Sequence, residues 1–242
     1  TLCDSVLTSR ELNKDSISKS NAVLTTTNSM VEELKSHGFS DNVVPWTRGV
    51  DREIFKPAER KVNEKLVLLN VGRVSKEKNL EKFYEIDIPN CQKIQVGDGP
   101  MLGKYIKRYP DVNFVGSKRG VELAHYYQQA DVFVFPSCWD TFGLVMIEAM
   151  ACGTPVAAYP VQGPIDVIDN DITGVMDANL STAIKKALEL DRENVYNKSR
   201  KWSWERAWEI FRDNLLASNQ VVSWARSVLI LCSNSSNLSE DA

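Results

Sequence analysis

Apolar positions fall into short runs that read as strands, at Leu66 to Val71, Lys93 to Val96, Val112 to Val115, Asp131 to Phe135 and Pro155 to Tyr159. Between them the apolar residues recur at helical spacing. Short apolar strands separated by helices imply a parallel sheet buried on both faces. Ahead of this alternation, Ala22 to Thr25 reads as a strand and Ser29 to His37 as an amphipathic helix stopped by Gly38. A second strand, Asn42 to Thr47, runs into Arg48-Gly49-Val50-Asp51, and Pro57 with the charged stretch Glu59 to Lys65 reads as a linker. After the alternation, Leu180 to Leu190, Glu193 to Lys201 and Trp204 to Leu216 read as helices. In the last, Trp204 and Trp208 lie four apart and Phe211 falls one position short of the next turn. That spacing gives the helix an apolar face with no evident partner in the chain. The first twenty residues are polar and helix-compatible, and Ser233 to Ala242 reads as a frayed polar tail.

The pattern predicts an α/β fold, a Rossmann-like doubly wound parallel sheet. In such folds ligands bind outside the carboxyl ends of the strands. The residues in those positions are Gly72-Arg73, Gly97-Asp98-Gly99, Gly116-Ser117, Pro136 to Thr141 and Pro160 to Pro164.

Composition narrows the picture only a little. A chain of 242 residues has room for one domain and extra material, and 43% hydrophobic with 25% charged residues is ordinary for a soluble protein. The net charge of −3 argues against a general nucleic-acid binder but leaves a local phosphate pocket open. No apolar run reaches the ~18 residues of a membrane span. The N-terminus lacks a signal-peptide pattern, so a cytoplasmic location is expected. Cys3, Cys91, Cys138, Cys152 and Cys232 have no metal-ligand spacing and read as reduced thiols. His37 and His125 lack a nucleophile or carboxylate at a motif spacing and read as packing or surface residues.

Two segments carry candidate chemistry. Gly72-Arg73 and Lys78 place two cations at a strand-to-helix turn, as a diphosphate requires: arginine binds phosphate oxygens in pairs and lysine adds a point charge. A solvated charge run with Lys76, Glu77 and Glu81 is the alternative. From Asp140 the chain runs through a loop, the apolar helix from Leu144, and a glycine stop at Gly153. Free N–H groups near Gly143, Leu144 and Val145 suit an anion. Asp140 falls on the loop. Glu148 lies inside the apolar helix, where a charge needs a hydrogen-bonding partner, either a ligand hydroxyl or a salt bridge to Arg73 or Lys78. Together these residues offer a diphosphate site and carboxylates for ribose and sugar hydroxyls. The glycine-rich stretch Gly97 to Gly103 admits a nicotinamide-dependent oxidoreductase, although Pro100 removes an N–H from the helix start. Asp169-Asn170-Asp171 reads as a solvated turn rather than a metal site.

Four pieces in order resemble glycosyltransferase family 4, the retaining transferases of the GT-B fold. They are Arg48-Gly49-Val50-Asp51 with Phe55 and Pro57; Gly72-Arg73 with Glu77-Lys78-Asn79; Val96-Gly97-Asp98-Gly99-Pro100; and Asp140 to Val156. The resemblance implies that Arg73 and Lys78 hold the diphosphate of a nucleotide-sugar donor, Glu148 the ribose, and the backbone from Gly143 to Val145 the phosphate end. Val115 would lie beside the base. Asp140, with Phe142 in the same loop, would face the donor sugar from the position of a family glutamate. Arg73, Lys78 and Asp140 become the catalytic candidates, with no metal and no cofactor beyond the donor. The string Thr141-Phe142-Gly143 with Ala158-Tyr159-Pro160-Val161 looks like a mannosyltransferase-like branch.

On this resemblance residues 1–47 would be the remnant of an N-terminal acceptor-side domain, 48–203 the nucleotide-sugar-binding half, and 204–242 a crossing helix and tail. The acceptor, a glycan or lipid, and any peripheral membrane contact would belong to the missing part. A donor-binding module without catalysis, and an epimerase sharing the pocket, stay open at this point.

Overall fold

A computed structural model describes residues 22–39, 42–60 and 64–216. The expectations for the first twenty residues, the Ser233 to Ala242 tail, Cys3 and Cys232 lie outside these residues.

Strand β1 (Val23–Thr25), helix α1 (Asn28–Ser36) and strand β2 (Val43–Pro45) come first, and the two strands pair in parallel as a sheet of their own. Thr27 caps α1 by accepting from the Met30 N–H. The main body then alternates β3 (Leu66–Val71), α2 (Glu81–Tyr84), β4 (Cys91–Val96), α3 (Leu102–Arg108), β5 (Val112–Phe114), α4 (Gly120–Gln129) and β6 (Val132–Phe135). It continues with α5 (Leu144–Ala151), β7 (Val156–Ala158), α6 (Pro164–Val167), β8 (Gly174–Met176), α7 (Leu180–Ala187), α8 (Arg192–Ser199) and α9 (Trp204–Leu216). All pairings in the six-stranded sheet are parallel, in the order β5-β4-β3-β6-β7-β8.

Both faces of this sheet are buried, which is why its strands lack a polar alternation. Val67, Leu69, Phe133 and Ala158 point to one side and meet Leu123 and Tyr127 of α4 and Met146 of α5. Leu68, Val132, Val134 and Ala157 point to the other, against Phe83, Tyr105 and Ile184. Helices therefore cover both faces, as a doubly wound fold requires.

Two departures from the expected elements have local causes. Strand β8 is only Gly174-Val175-Met176, too short to give a period, and its glycine reads as a turn. The described start of the stretch expected as a linker is tethered to the main body: Gln129 Nε2 donates to the Glu59 carbonyl at 3.4 Å, and Arg60 pairs with Asp131 at 2.5 Å.

The strand order reverses between β3 and β6. Their backbone ladder covers only Leu68↔Val132 and Leu69↔Phe133. Beyond it, the buried Asn70 side chain continues the link, its Nδ2 donating to the Val134 carbonyl at 2.8 Å. The Asn70 Oδ1 has no hydrogen-bond partner among the described residues. Asn70→Asp would set a carboxylate against that carbonyl. The expected outcome in urea denaturation is a loss of about 3 kcal/mol at neutral pH. The loss shrinks on acidification, because the protonated acid can donate to Val134; a loss independent of pH would refute this role.

Candidate functional site

Where neighbouring strands send their connections in opposite directions, a crevice opens at their carboxyl ends. Here that point is the β3–β6 seam, and a cavity of about 350 Å³ lies over it. Of the expected residues, Gly72, Arg73, Lys78, Asp140, Phe142, Gly143, Leu144 and Val145 line it. Val115 and Glu148 do not.

The β3 wall is Gly72-Arg73 and the single 3-10 turn Lys76–Lys78. Its backbone is locked to the next strand: the Gly72 N–H donates to the Val96 carbonyl at 3.0 Å and the Val74 N–H to the Asp98 carbonyl at 2.9 Å. The glycine-rich stretch after β4 explains itself here. At Gly97 φ is +134°, and a Cβ would stand 1.9 Å from the Gly72 carbonyl oxygen. These glycines pack two loops together behind the Arg73 turn, outside the cavity lining.

The β6 wall is the loop from Pro136 into α5. Asp140 Oδ2 accepts from Lys78 Nζ at 2.8 Å, and its Oδ1 faces the Phe142 N–H at 3.3 Å. Asn79, at a left-handed φ of 54°, donates from Nδ2 to the Pro136 carbonyl at 3.1 Å. The two walls are thus tied together across the seam. Phe142 lines the cavity with a ring that is itself core, buried edge-on against Trp202 at 5.4 Å. Helix α5 starts at Gly143 with φ 81° and no side-chain cap. Its first-turn N–H groups, at Leu144 and Val145, have no intrahelical partner and lie at the cavity.

Glu148 sits one turn further along the same helix face as Leu144 and Val145. The partner it needs is neither Arg73 nor Lys78: the Tyr127 hydroxyl donates to Glu148 Oε2 at 2.9 Å. Burial raises the Glu148 pKa above the usual carboxylate range, and the Tyr127 hydrogen bond only partly offsets it. Tyr127 is fully buried and its own pKa is pushed well up, so it remains a neutral donor. Val115 extends β5 two strands away from the seam, its N–H donating to the Gln95 carbonyl at 3.1 Å.

Cavity residues to which the sequence reading gave no site role include Asn70, Thr26 and Arg48, the last named only within the Arg48-Gly49-Val50-Asp51 motif. Asn70 sits inside an apolar strand, where one polar residue in a buried run was the available signal. Thr26 and Arg48 come from the N-terminal segment, and Thr26 Oγ1 donates to the Thr141 carbonyl at 3.0 Å. No local pattern connects residues that distant. The triplet Asp169-Asn170-Asp171 is a turn, with Asp171 at φ 62° and Asp169 paired to Lys201 at 2.7 Å. Among the described residues, no helix is long and apolar enough to cross a membrane.

The family of glycosyl transferases group 1 matches residues 51–202, more than half of the chain. The chain belongs to this family. It is 34% identical over 156 residues to a GDP-mannose-dependent alpha-mannosyltransferase of Corynebacterium glutamicum, covering 60% of this chain and 38% of the relative. An enzyme of the same description from Mycolicibacterium smegmatis is 29% identical over 226 residues, 87% of this chain and 60% of the relative. The solved sucrose-phosphate synthase of Thermosynechococcus elongatus superimposes with a TM-score of 0.71 at 26% identity, covering 86% of this chain and 62% of that one. The chain therefore spans less than two thirds of the length of each of these proteins. The resemblance to glycosyltransferase family 4 and the GT-B assignment are borne out.

A carboxylate whose pKa is raised in the folded state makes that state bind more protons than the unfolded chain, so stability falls as pH rises through the interval between the two values. Glu148→Gln keeps an acceptor for Tyr127 and removes the charge. Thermal melting should show the variant matching the parent below about pH 4 and exceeding it by a few degrees near neutrality. A parent that is the more stable at neutral pH would overturn the burial argument.

Proposed function

We propose that this chain binds a nucleotide-diphosphate sugar in the seam cavity and serves transfer of its hexose to an acceptor hydroxyl with retained configuration. The observation that carries the reading is the convergence of Arg73, Lys78 and the open start of α5 on one cavity at the strand-order reversal. The chain's membership of the glycosyl transferase family supports it.

In this reading the diphosphate lies between Arg73, Lys78 and the N–H groups of Leu144 and Val145. Charge that grows on the leaving diphosphate meets donors already fixed in place, which is the electrostatic route to catalysis and requires no metal. Asp140 faces the sugar, and its bond to Lys78 fixes both groups before the donor arrives. Glu148, held by Tyr127, is left with its other oxygen for the ribose, and Val115 stands toward the base. The two GDP-mannose-dependent relatives favour GDP-mannose as the first donor to test.

The acceptor, a glycan or a lipid, belongs in this reading to the portion of the relatives that the chain does not span. That shortfall favours one second reading, a donor-binding module without catalysis of its own. Assays of donor hydrolysis and transfer on the chain separate the two, since a bare module binds donor and turns over little.

Arg73→Ala tests the site. Loss of a paired charge-assisted contact should weaken binding of GDP or UDP by roughly tenfold to a hundredfold in calorimetry. Unchanged affinity would remove Arg73 from the diphosphate site.

A further inference from the structure

Three cations line the seam cavity: Arg48, Arg73 and Lys78. One is already met within the protein, because Lys78 Nζ lies 2.8 Å from Asp140 Oδ2. Neither Arg73 nor Arg48 makes an ion pair within 4 Å among the described residues, and the one carboxylate whose charge interacts with Arg73 is that of the solvent-exposed Glu77. They reach the cavity from different parts of the chain, Arg73 from the end of β3 and Arg48 from the segment after β2.

Arg48 is held in place without being neutralised. Its guanidinium carbon lies 4.3 Å from the centroid of the Trp46 ring, a contact that orients the group and leaves its charge available. Trp46 is itself fixed: its Nε1 donates to the Ala207 carbonyl of α9 at 2.8 Å, and its ring lies 5.8 Å from that of Phe211. The next residue, Gly49, is pressed against the start of the same helix, where a Cβ would stand 2.3 Å from the Trp204 nitrogen. Residues 46–49 therefore form a strip backed by α9, with Arg48 on its cavity side.

We propose that Arg48 is a further donor-binding residue, which contacts the diphosphate from the N-terminal side of the cavity, across from Arg73. This rests on the nucleotide-sugar reading of the cavity. The charge balance supports it: the diphosphate of a nucleotide sugar carries one negative charge on each phosphate, and Arg48 and Arg73 are the two cavity cations that make no ion pair among the described residues. Trp46 acts as a positioning residue, carrying the hold of α9 to the Arg48 side chain.

The test is calorimetric titration of the whole chain with GDP, UDP and ADP, then with the monophosphate and nucleoside of whichever base binds. Arg48→Gln should weaken the diphosphate roughly tenfold to a hundredfold, leave the nucleoside within twofold, and flatten the salt dependence of diphosphate binding. Diphosphate affinity within twofold of the parent would overturn the assignment of Arg48 and leave the donor reading standing. A parent that binds none of the three diphosphates would sink the donor reading itself, a result distinct from the first. A second measurement needs no variant. Bound diphosphate should shield Arg48 of the parent from an arginine-selective dicarbonyl, read by peptide mass spectrometry. Equal labelling of Arg48 with and without a diphosphate that binds would also overturn the proposal.

Discussion

The seam between β3 and β6 is the constraint on which the remaining structure depends. From β3 the chain works outward through β4 to β5, and from β6 it works outward through β7 to β8. Neighbouring connections therefore leave the two central strands in opposite directions, and nothing in the sheet can fill the gap above them. The backbone ladder gives out after two residue pairs, and Asn70 supplies the next link. Asn79 and the Lys78–Asp140 pair then tie the two loops that rise from the seam. Of these linking groups, Asn70, Lys78 and Asp140 also line the cavity.

Polar groups at this place carry an energetic cost that the apolar core does not. Glu148 is kept in an apolar helix with one hydroxyl for company, and its raised pKa records the desolvation that burial imposes. Among the described residues, the Oδ1 of the cavity-lining Asn70 has no hydrogen-bond partner. Each would be an error in a core designed for stability alone, and such lapses are expected where a fold gives up stability to a site.

The N-terminal segment belongs to the same arrangement. Ser29 donates from both its N–H and its Oγ to Asp166 Oδ1 at 3.0 Å, and Thr26 reaches the Asp140 loop. Helix α9 closes behind this segment, although not with the face its tryptophans suggested. Ala207 is buried and Phe211 meets Trp46, while Trp204 and Trp208 stay 52% and 56% exposed. Period alone names a stripe of apolar residues. Which edge of that stripe is covered depends on the approach of β2, and hence on a neighbour far away in sequence.

The sequence by itself determined the class of fold, because strands buried on both faces must be continuously apolar and the helices between them must not be. It also determined the Gly72 to Lys78 turn and the Asp140 to Val145 loop, since strand ends, glycine and charge coincide there within a few residues. Only the tertiary structure decided which strand ends share a crevice. It set aside the glycine-rich end of β4, paired Lys78 with Asp140, gave Glu148 to Tyr127, and brought Arg48 to the cavity. The physical reason is common to all four. Strand order and side-chain pairing are fixed by contacts between residues distant in the chain, and such contacts leave no period, cap or turn in the local sequence.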